Sequence, residues 1–497
     1  MGKNIKTKIA RTVSLVAIVL MVPLLSGCGS SGSAYSVSLE VWGPFDDSTA
    51  FSDIITQYEK VNPFIKEIKY KKFSPDTYKS ELLDALAAGN GPDIFLINNS
   101  WLPSFENKLA PAPIASQALP TALVSEQDIK DNFPDTVDND FVDAGKVYAV
   151  PLTVDSLQLY YNKDIFNAAS ITAAPKTWDE FSADVQKMTI IDKVGNIVQA
   201  GAAMGTVSNI NSPADILEAL LFQDGTNLHA KKGMQAGLAA GVIDQNGNVT
   251  VAGEKALQYY TQFAKLTNDD GTPNPYYTWN DRNHYSVDAF TEGTLGMMFN
   301  YSWQMKDIQA KNAKLNFGVA PIPQLNPDKP VTTSNYWGFG VALNKVSPSA
   351  TTDTTQATNP QVIQSVPNNI RIFESWQFLR FMTLKNSGSV KIFNAYTGNS
   401  KDFPISFDPA ADYLQKTQQP AARRDLIELQ KTDPLFGSFA TGNLIARNWW
   451  QPDPDQVISI FDNAIQSVDS GTANVHDSVQ VASNKINLLI QSQSQGN

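Results

Sequence analysis

Cysteine and histidine are scarce in these 497 residues: the chain has one cysteine, Cys28, and three histidines. Without a second thiol there is no intramolecular disulfide, no cysteine-ligated metal site and no cysteine nucleophile, so stability has to come from packing. His229, His284 and His476 stand at spacings that fit neither a metal site nor a catalytic triad. GxSxG elbows and Walker loops are missing as well. No cofactor and no metal is expected. "DQNGNVTV" (244–251) has acid and amide residues at calcium-loop spacing, but Val249 and Lys255 fall on the sixth and twelfth positions. A hairpin turn fits that segment better.

Positive charge is also in short supply, with 38 Lys and Arg against 49 Asp and Glu. Residues 1–27 hold four of the basic side chains, Lys3, Lys6, Lys8 and Arg11, and no acidic one; without them 34 basic side chains remain and the formal net charge moves from −11 to −15. Such an acidic chain is a poor partner for nucleic acid or anionic membrane surfaces. The apolar run at 13–25 is shorter than the roughly 20 residues that span a bilayer, and with the basic start it reads as a secretory signal. "LSGC" at 25–28 resembles the bacterial lipobox. That resemblance implies cleavage before Cys28, a lipid on Cys28 and a tether at 28–36, with the mature protein exported and held to the cell membrane.

The full chain is 42% hydrophobic and 18% charged, and what remains beyond the leader is long enough for two or more domains with sizeable cores. "SVSLEVW" and then "TAFSDIITQYEK" read as a strand and a helix, as do "IKEIKYKKF" and "SPDTYKSELLDALAAG". Ser74 is placed to cap that second helix, with Pro75 at its first position and Gly89 closing it. "PDIFLIN" is an apolar third strand. After residue 145 the alternation resumes with "KVYAVPL", "SLQLYYN" and "TWDEFSADVQKMT", where Thr177 and Glu180 are spaced as a capping box. The pattern predicts an α/β fold with mostly parallel sheets and a helix-rich C-terminal half. Residues 347–369 read as a surface insertion, and the terminal "QSQSQGN" should fray.

Aromatic placement carries the functional signal. Five of the places where the nine Trp residues stand lie beside polar clusters at strand ends: "VWGPFDD", "INNSWL", "FNYSWQ", "SNYWGFG" with Trp337, and "RNWWQPD". A single such ring is ordinary core material. Repeated at the carboxyl ends of α/β strands, where ligands of open sheets bind, rings with amide, hydroxyl and carboxylate neighbours suit a sugar. The sequence leaves open a carboxylate pair for glycoside hydrolysis.

In their order, "AAGNGPDIFLINNSWLPSF", "KVYAVPLTVDSLQLYYNKDIFNAA", "PKTWDEF", "AFTEGTLGMMFNYSWQM", "NFGVAPIPQ" and "GFGVALNKVSP" resemble the extracellular solute-binding protein family 1 of ABC importers. The resemblance covers about 37–490 and implies a periplasmic binding protein-like (type II) fold, two α/β lobes around a central cleft. Chain crossings are implied near 149–152, 289–293 and 339–345, giving lobes of 37–150 plus 291–340 and of 151–290 plus 341–490. It also implies a monomer that performs no chemistry and delivers a mono- or oligosaccharide to permease subunits; an oligopeptide or other polar solute is the alternative, and a secreted glycoside hydrolase the alternative of another class. Matching positions nominate Trp303 for sugar stacking, with Asn300 and Ser302 beside it and Asp155 as a hydroxyl acceptor. Asn99, Ser100 and Trp101 match a first-lobe contact segment, Asp46 the loop after the first strand, and Trp449 and Trp450 a late stacking position. A helix cap or solvated acid remains the other reading of Asp155.

Overall fold

The computed structural model describes residues 35–116, 119, 121–228, 234–243, 249–268, 270–345 and 366–495. The leader, Cys28, the tether up to residue 34, His229, the turn at 244–248 and the insertion up to residue 365 lie outside the described residues.

Two five-stranded sheets organise the rest. The first runs in the order Ile65–Lys72, Val37–Gly43, Ile94–Asn98, Trp337–Val341, Ala149–Pro151. Its first three strands are parallel, and Trp337–Val341 enters antiparallel to both neighbours. The second runs Phe317–Pro321, Gln158–Asn162, Leu295–Asn300, Ile197–Ala202, Ile190–Ile191. There Leu295–Asn300 is parallel to Ile197–Ala202 and antiparallel to Gln158–Asn162. Both sheets are therefore mixed rather than mostly parallel, because the chain re-enters each from the other lobe.

Each sheet has its own apolar core, one gathering Val37 to Val154 and Tyr336 to Ile427, the other Leu157 to Val331 and Trp449 to Ile490. This corrects the expected lobe boundaries. All six residues of Leu295–Asn300 are buried in the middle of the second sheet, so 291–333 belongs to the second lobe. Helix Asn368–Thr383 buries Ile370, Trp376 and Phe378 in the first core, so 366–427 belongs to the first. The crossings lie at 154–157, 331–336 and 427–449, and none occurs at 289–293, where Phe290 and Leu295 share one core.

The crossings are bonded to one another. Leu157 N donates to Thr333 O at 3.1 Å and Asn335 N to Asp155 O at 3.0 Å. Asn443 Nδ2 donates to Val154 O, tying the third crossing to the first. A Cβ on Gly442 would stand 2.0 Å from Gln158 Nε2 and 2.5 Å from Ser156 Oγ, so a larger residue there would have to displace those two side chains.

Local signals mostly act as the sequence predicts. Thr177 and Glu180 form the capping box of Trp178–Met188. Pro75 opens its helix and Gly89 has φ +73°, but the Ser74 hydroxyl makes no capping bond. Of the terminal segment expected to fray, 491–495 continue helix Val475–Gln495 and Gln493 Nε2 donates to Pro103 O at 2.8 Å, while 496–497 lie outside the described residues.

The first lobe carries a buried ion pair. Asp93, 1% exposed at its side chain, accepts from Lys345 Nζ at 2.8 Å and Arg371 Nη1 at 3.3 Å. It also takes the Glu40 N–H at 2.7 Å, so it joins helix Asn368–Thr383 to the first strand. Asp93→Ala strands a buried guanidinium and is expected to lower the unfolding free energy by about 3–5 kcal/mol in denaturant titrations; a loss below about 1 kcal/mol contradicts this role.

Candidate functional site

A cavity of about 630 Å³ opens between the lobes. The sequence brings side chains to it through strand ends. Strand Leu295–Asn300 is apolar along its length and gives way to Tyr301, Ser302 and Trp303, which turn into helix Gln304–Lys311. Trp303 is 45% exposed and stacks on Tyr301 at 4.5 Å and 21°, leaving its other face to the gap. Tyr301 is fully buried and is fixed by its hydroxyl, which donates to Asp215 Oδ2 at 2.8 Å.

The facing wall is aromatic as well. Trp337, at the start of its strand, meets Trp101 edge-on at 4.9 Å and Phe45 at 5.1 Å. Beside these rings Asn98 Nδ2 donates to Asn335 Oδ1 at 2.9 Å, and Ser100 Oγ to Asn98 Oδ1 at 2.7 Å. Asp46 accepts from Tyr413 Oη at 2.6 Å and from Gln419 Nε2 at 3.3 Å.

Eight of the eleven nominated residues line this one cavity: Asp46, Asn99, Ser100, Trp101, Asp155, Ser302, Trp303 and Trp337. Asn300, Trp449 and Trp450 do not. Asn300 is fully buried, its Oδ1 accepting from Asn211 Nδ2 at 3.1 Å, so it packs behind the strand end. Trp449 is 3% exposed and donates to Glu218 Oε2 at 2.9 Å. With Trp450 it borders a smaller cavity of about 330 Å³. Rings beside polar residues thus served a buried bond in one case and a free face in the other.

Asp155 does more structural duty than expected. Its Oδ2 accepts from Ser302 N at 2.9 Å and Ser302 Oγ at 2.5 Å, and its Oδ1 from Ser156 N at 2.9 Å. Residues the sequence reading missed include Phe45, Asp215, Glu218, Lys306, Tyr413 and Gln419. Asp215 and Glu218 lie three apart on helix Pro213–Gln223, a spacing that puts both on one face. Tyr413 and Gln419 come from a segment far along the chain and leave no local signal.

Burial dominates the electrostatics. It pushes the Asp155 carboxyl up to about 8, against the pull of the Ser302 and Ser156 donors. Glu218 rises to about 7, with Thr333 and Trp449 donating to it, and Asp215 to about 6. In the unfolded chain such groups lose their protons near about pH 4, whereas the folded protein holds them to higher pH. Between these limits the folded state binds more protons, so stability is lost as pH rises. The thermal midpoint is expected to fall between about pH 5 and pH 8, and Glu218→Gln to make the fall shallower; a midpoint that climbs across this window contradicts the assignment.

Among the described residues no three His, Cys, Asp or Glu are grouped to hold a metal ion, and no helix is long and apolar enough to cross a membrane.

Residues 42–385 match the bacterial extracellular solute-binding protein family, and the chain belongs to it. The chain is similar to a protein of Brucella abortus named as a binding protein, 25% identical over 275 residues, 55% of this chain and 59% of the relative. The match therefore spans a little under three fifths of that relative's length. It is also similar to the maltooligosaccharide ABC transporter solute-binding lipoprotein of Streptococcus pneumoniae, 28% identical over 218 residues, 41% of this chain and 42% of that one. Among solved structures it resembles the cyclic alpha-maltosyl-1,6-maltose binding protein from Arthrobacter globiformis at a TM-score of 0.65 and 18% identity, over 92% of this chain and 100% of that one. That likeness establishes the fold, the two-lobed type II binding-protein architecture.

Proposed function

We propose that this protein captures a neutral oligosaccharide between its lobes and passes it, chemically unchanged, to the membrane permease of an ABC importer. The observation that carries the reading is the pair of aromatic platforms on opposite walls of one cavity, Trp303 on the second lobe and Trp337 with Phe45 on the first. A sugar ring presents an apolar CH face to such a platform and hydroxyls to the amides and carboxylates around it. The names of the Streptococcus and Arthrobacter proteins point to the same ligand class.

The charge of the lining supports a neutral ligand. Asp46, Asp155, Asp215, Glu218 and Asp455 face Lys306, the one cationic side chain among the described residues of the lining. An acidic sugar or a phosphate would find no arginine fork to receive it. The lipobox-like "LSGC" supports an anchor on Cys28, which would keep the binding protein, acting as a monomer, close to its permease.

Closing the lobes on a ligand, from mostly open to mostly closed, needs roughly 5.5 kcal/mol of differential affinity. One buried aromatic stack of about 2 kcal/mol and several hydrogen bonds of about 1 kcal/mol each reach that figure. Titration calorimetry with maltooligosaccharides, uronate oligomers and short peptides tests the reading: the neutral glycans are expected to bind and to be recovered intact. Trp303→Ala should weaken that binding at least tenfold, about 1.4 kcal/mol, with little change in thermal midpoint because the ring is half exposed. Unchanged affinity removes Trp303 from the site, and release of shortened sugars overturns the non-catalytic reading.

A further inference from the structure

Two lysines cross the gap between the lobes. Lys79, on the first-lobe helix Pro75–Ala87, places Nζ 2.6 Å from Asp455 Oδ2, on the second-lobe helix Pro454–Asp469. The same ammonium lies 4.9 Å from the Trp101 ring centroid, over the aromatic wall. Lys306, on the second-lobe helix Gln304–Lys311, donates to Thr417 O at 2.6 Å. Thr417 is the last residue of the first-lobe helix Pro409–Thr417. Lys306 and Asp455 border the cavity, so both bonds span its rim.

Neither bond involves a ligand, and each is complete with protein groups alone. The carbonyl at the end of a helix has no intrahelical donor and sits at the negative end of the helix dipole, so an ammonium is well placed there. Lys79 gains a cation–π contact in addition to its ion pair. We propose that Lys79 and Lys306 are positioning residues: they latch the lobes together and set how much of the ligand-free protein is already closed. Affinity then depends on them although they need not touch the ligand, since a binding-competent state that is only partly populated divides the intrinsic affinity by its fraction.

Both latches are solvent-accessible, which limits their strength. An exposed pair or a helix-end cation shifts an equilibrium by about threefold, and two well-separated ones by about tenfold. Because Asp455 is largely exposed, the Lys79 latch is open to screening by salt, whose Debye length shrinks to about 3 Å at about 1 M.

The test is single-molecule FRET between one dye on each lobe of the full chain without ligand, followed by calorimetry with maltotriose. Lys79→Ala and Lys306→Met are each expected to lower the closed-to-open ratio about threefold, and the double variant about tenfold. The charge swap Lys79→Asp with Asp455→Lys, and separately Lys306→Arg, should restore the wild-type distribution, which a general loss of packing would not allow. About 1 M salt should shift the wild type and leave Lys79→Ala unmoved. The maltotriose dissociation constant should rise by the same factors; this arm alone rests on the gap being a sugar cleft. Distributions that ignore both single substitutions, or a swap that fails to restore closure, overturn the latch. If the distributions shift as expected but maltotriose does not bind, the latch stands and the sugar reading falls.

Discussion

Asp155 is the residue on which the geometry of the gap depends. Its carbonyl accepts the Asn335 N–H from the returning crossing, while its carboxyl group holds the Ser302 backbone and hydroxyl at the end of the central strand of the second sheet. One residue thus ties two of the three crossings to the segment that presents Trp303. A carboxyl group in this place is drawn in two directions: burial favours its neutral form, and three donors favour its charge. Breaking the bonds would leave buried donors without an acceptor, which is more damaging than the net worth of the bonds themselves. The hinge is therefore stiff in its bonding pattern even though the lobes have separate cores, and separate cores joined by a few bonded segments are what a hinge motion requires.

The polar lining follows from the same layout. Strands end at the gap, so backbone and side-chain groups that would be buried in a continuous domain face a cavity of about 630 Å³. Most already have protein partners, as with Asp46 and Tyr413 or Asn98 and Asn335. These partners fix the orientation of the lining before any ligand arrives, which reduces the entropy that binding must overcome. The aromatic rings differ: Trp303 is exposed and Trp337 partly exposed where they border the cavity. On the proposed reading, preformed amides and carboxylates select, and open rings supply the affinity.

Much of this was legible in the sequence where the information is local. "FNYSWQM" shows an apolar run turning polar with an indole at the turn, and the structure puts Trp303 at the gap. "TWDEF" encodes its capping box within four residues. Membership of the second sheet is not local: nothing in "TLGMMFN" states that it lies beside Gln158–Asn162 rather than beside Ile94–Asn98, and the lobe boundaries were misplaced there. Trp449 and Trp450 share the composition of a binding segment, yet Trp449 is committed to Glu218, 231 residues away. A side chain's partner at that distance is set by the fold and leaves no mark in its neighbours.

The central claim is that one ligand is gripped by both lobes at once. Hydrogen–deuterium exchange of the full chain with and without a saturating maltooligosaccharide addresses it most directly. The account predicts that amides near Asn98–Trp101 and Trp337 in the first lobe and near Ser302–Lys306 in the second become protected together, at the same ligand concentration. Protection confined to one lobe, or spread evenly over the surface, would contradict it.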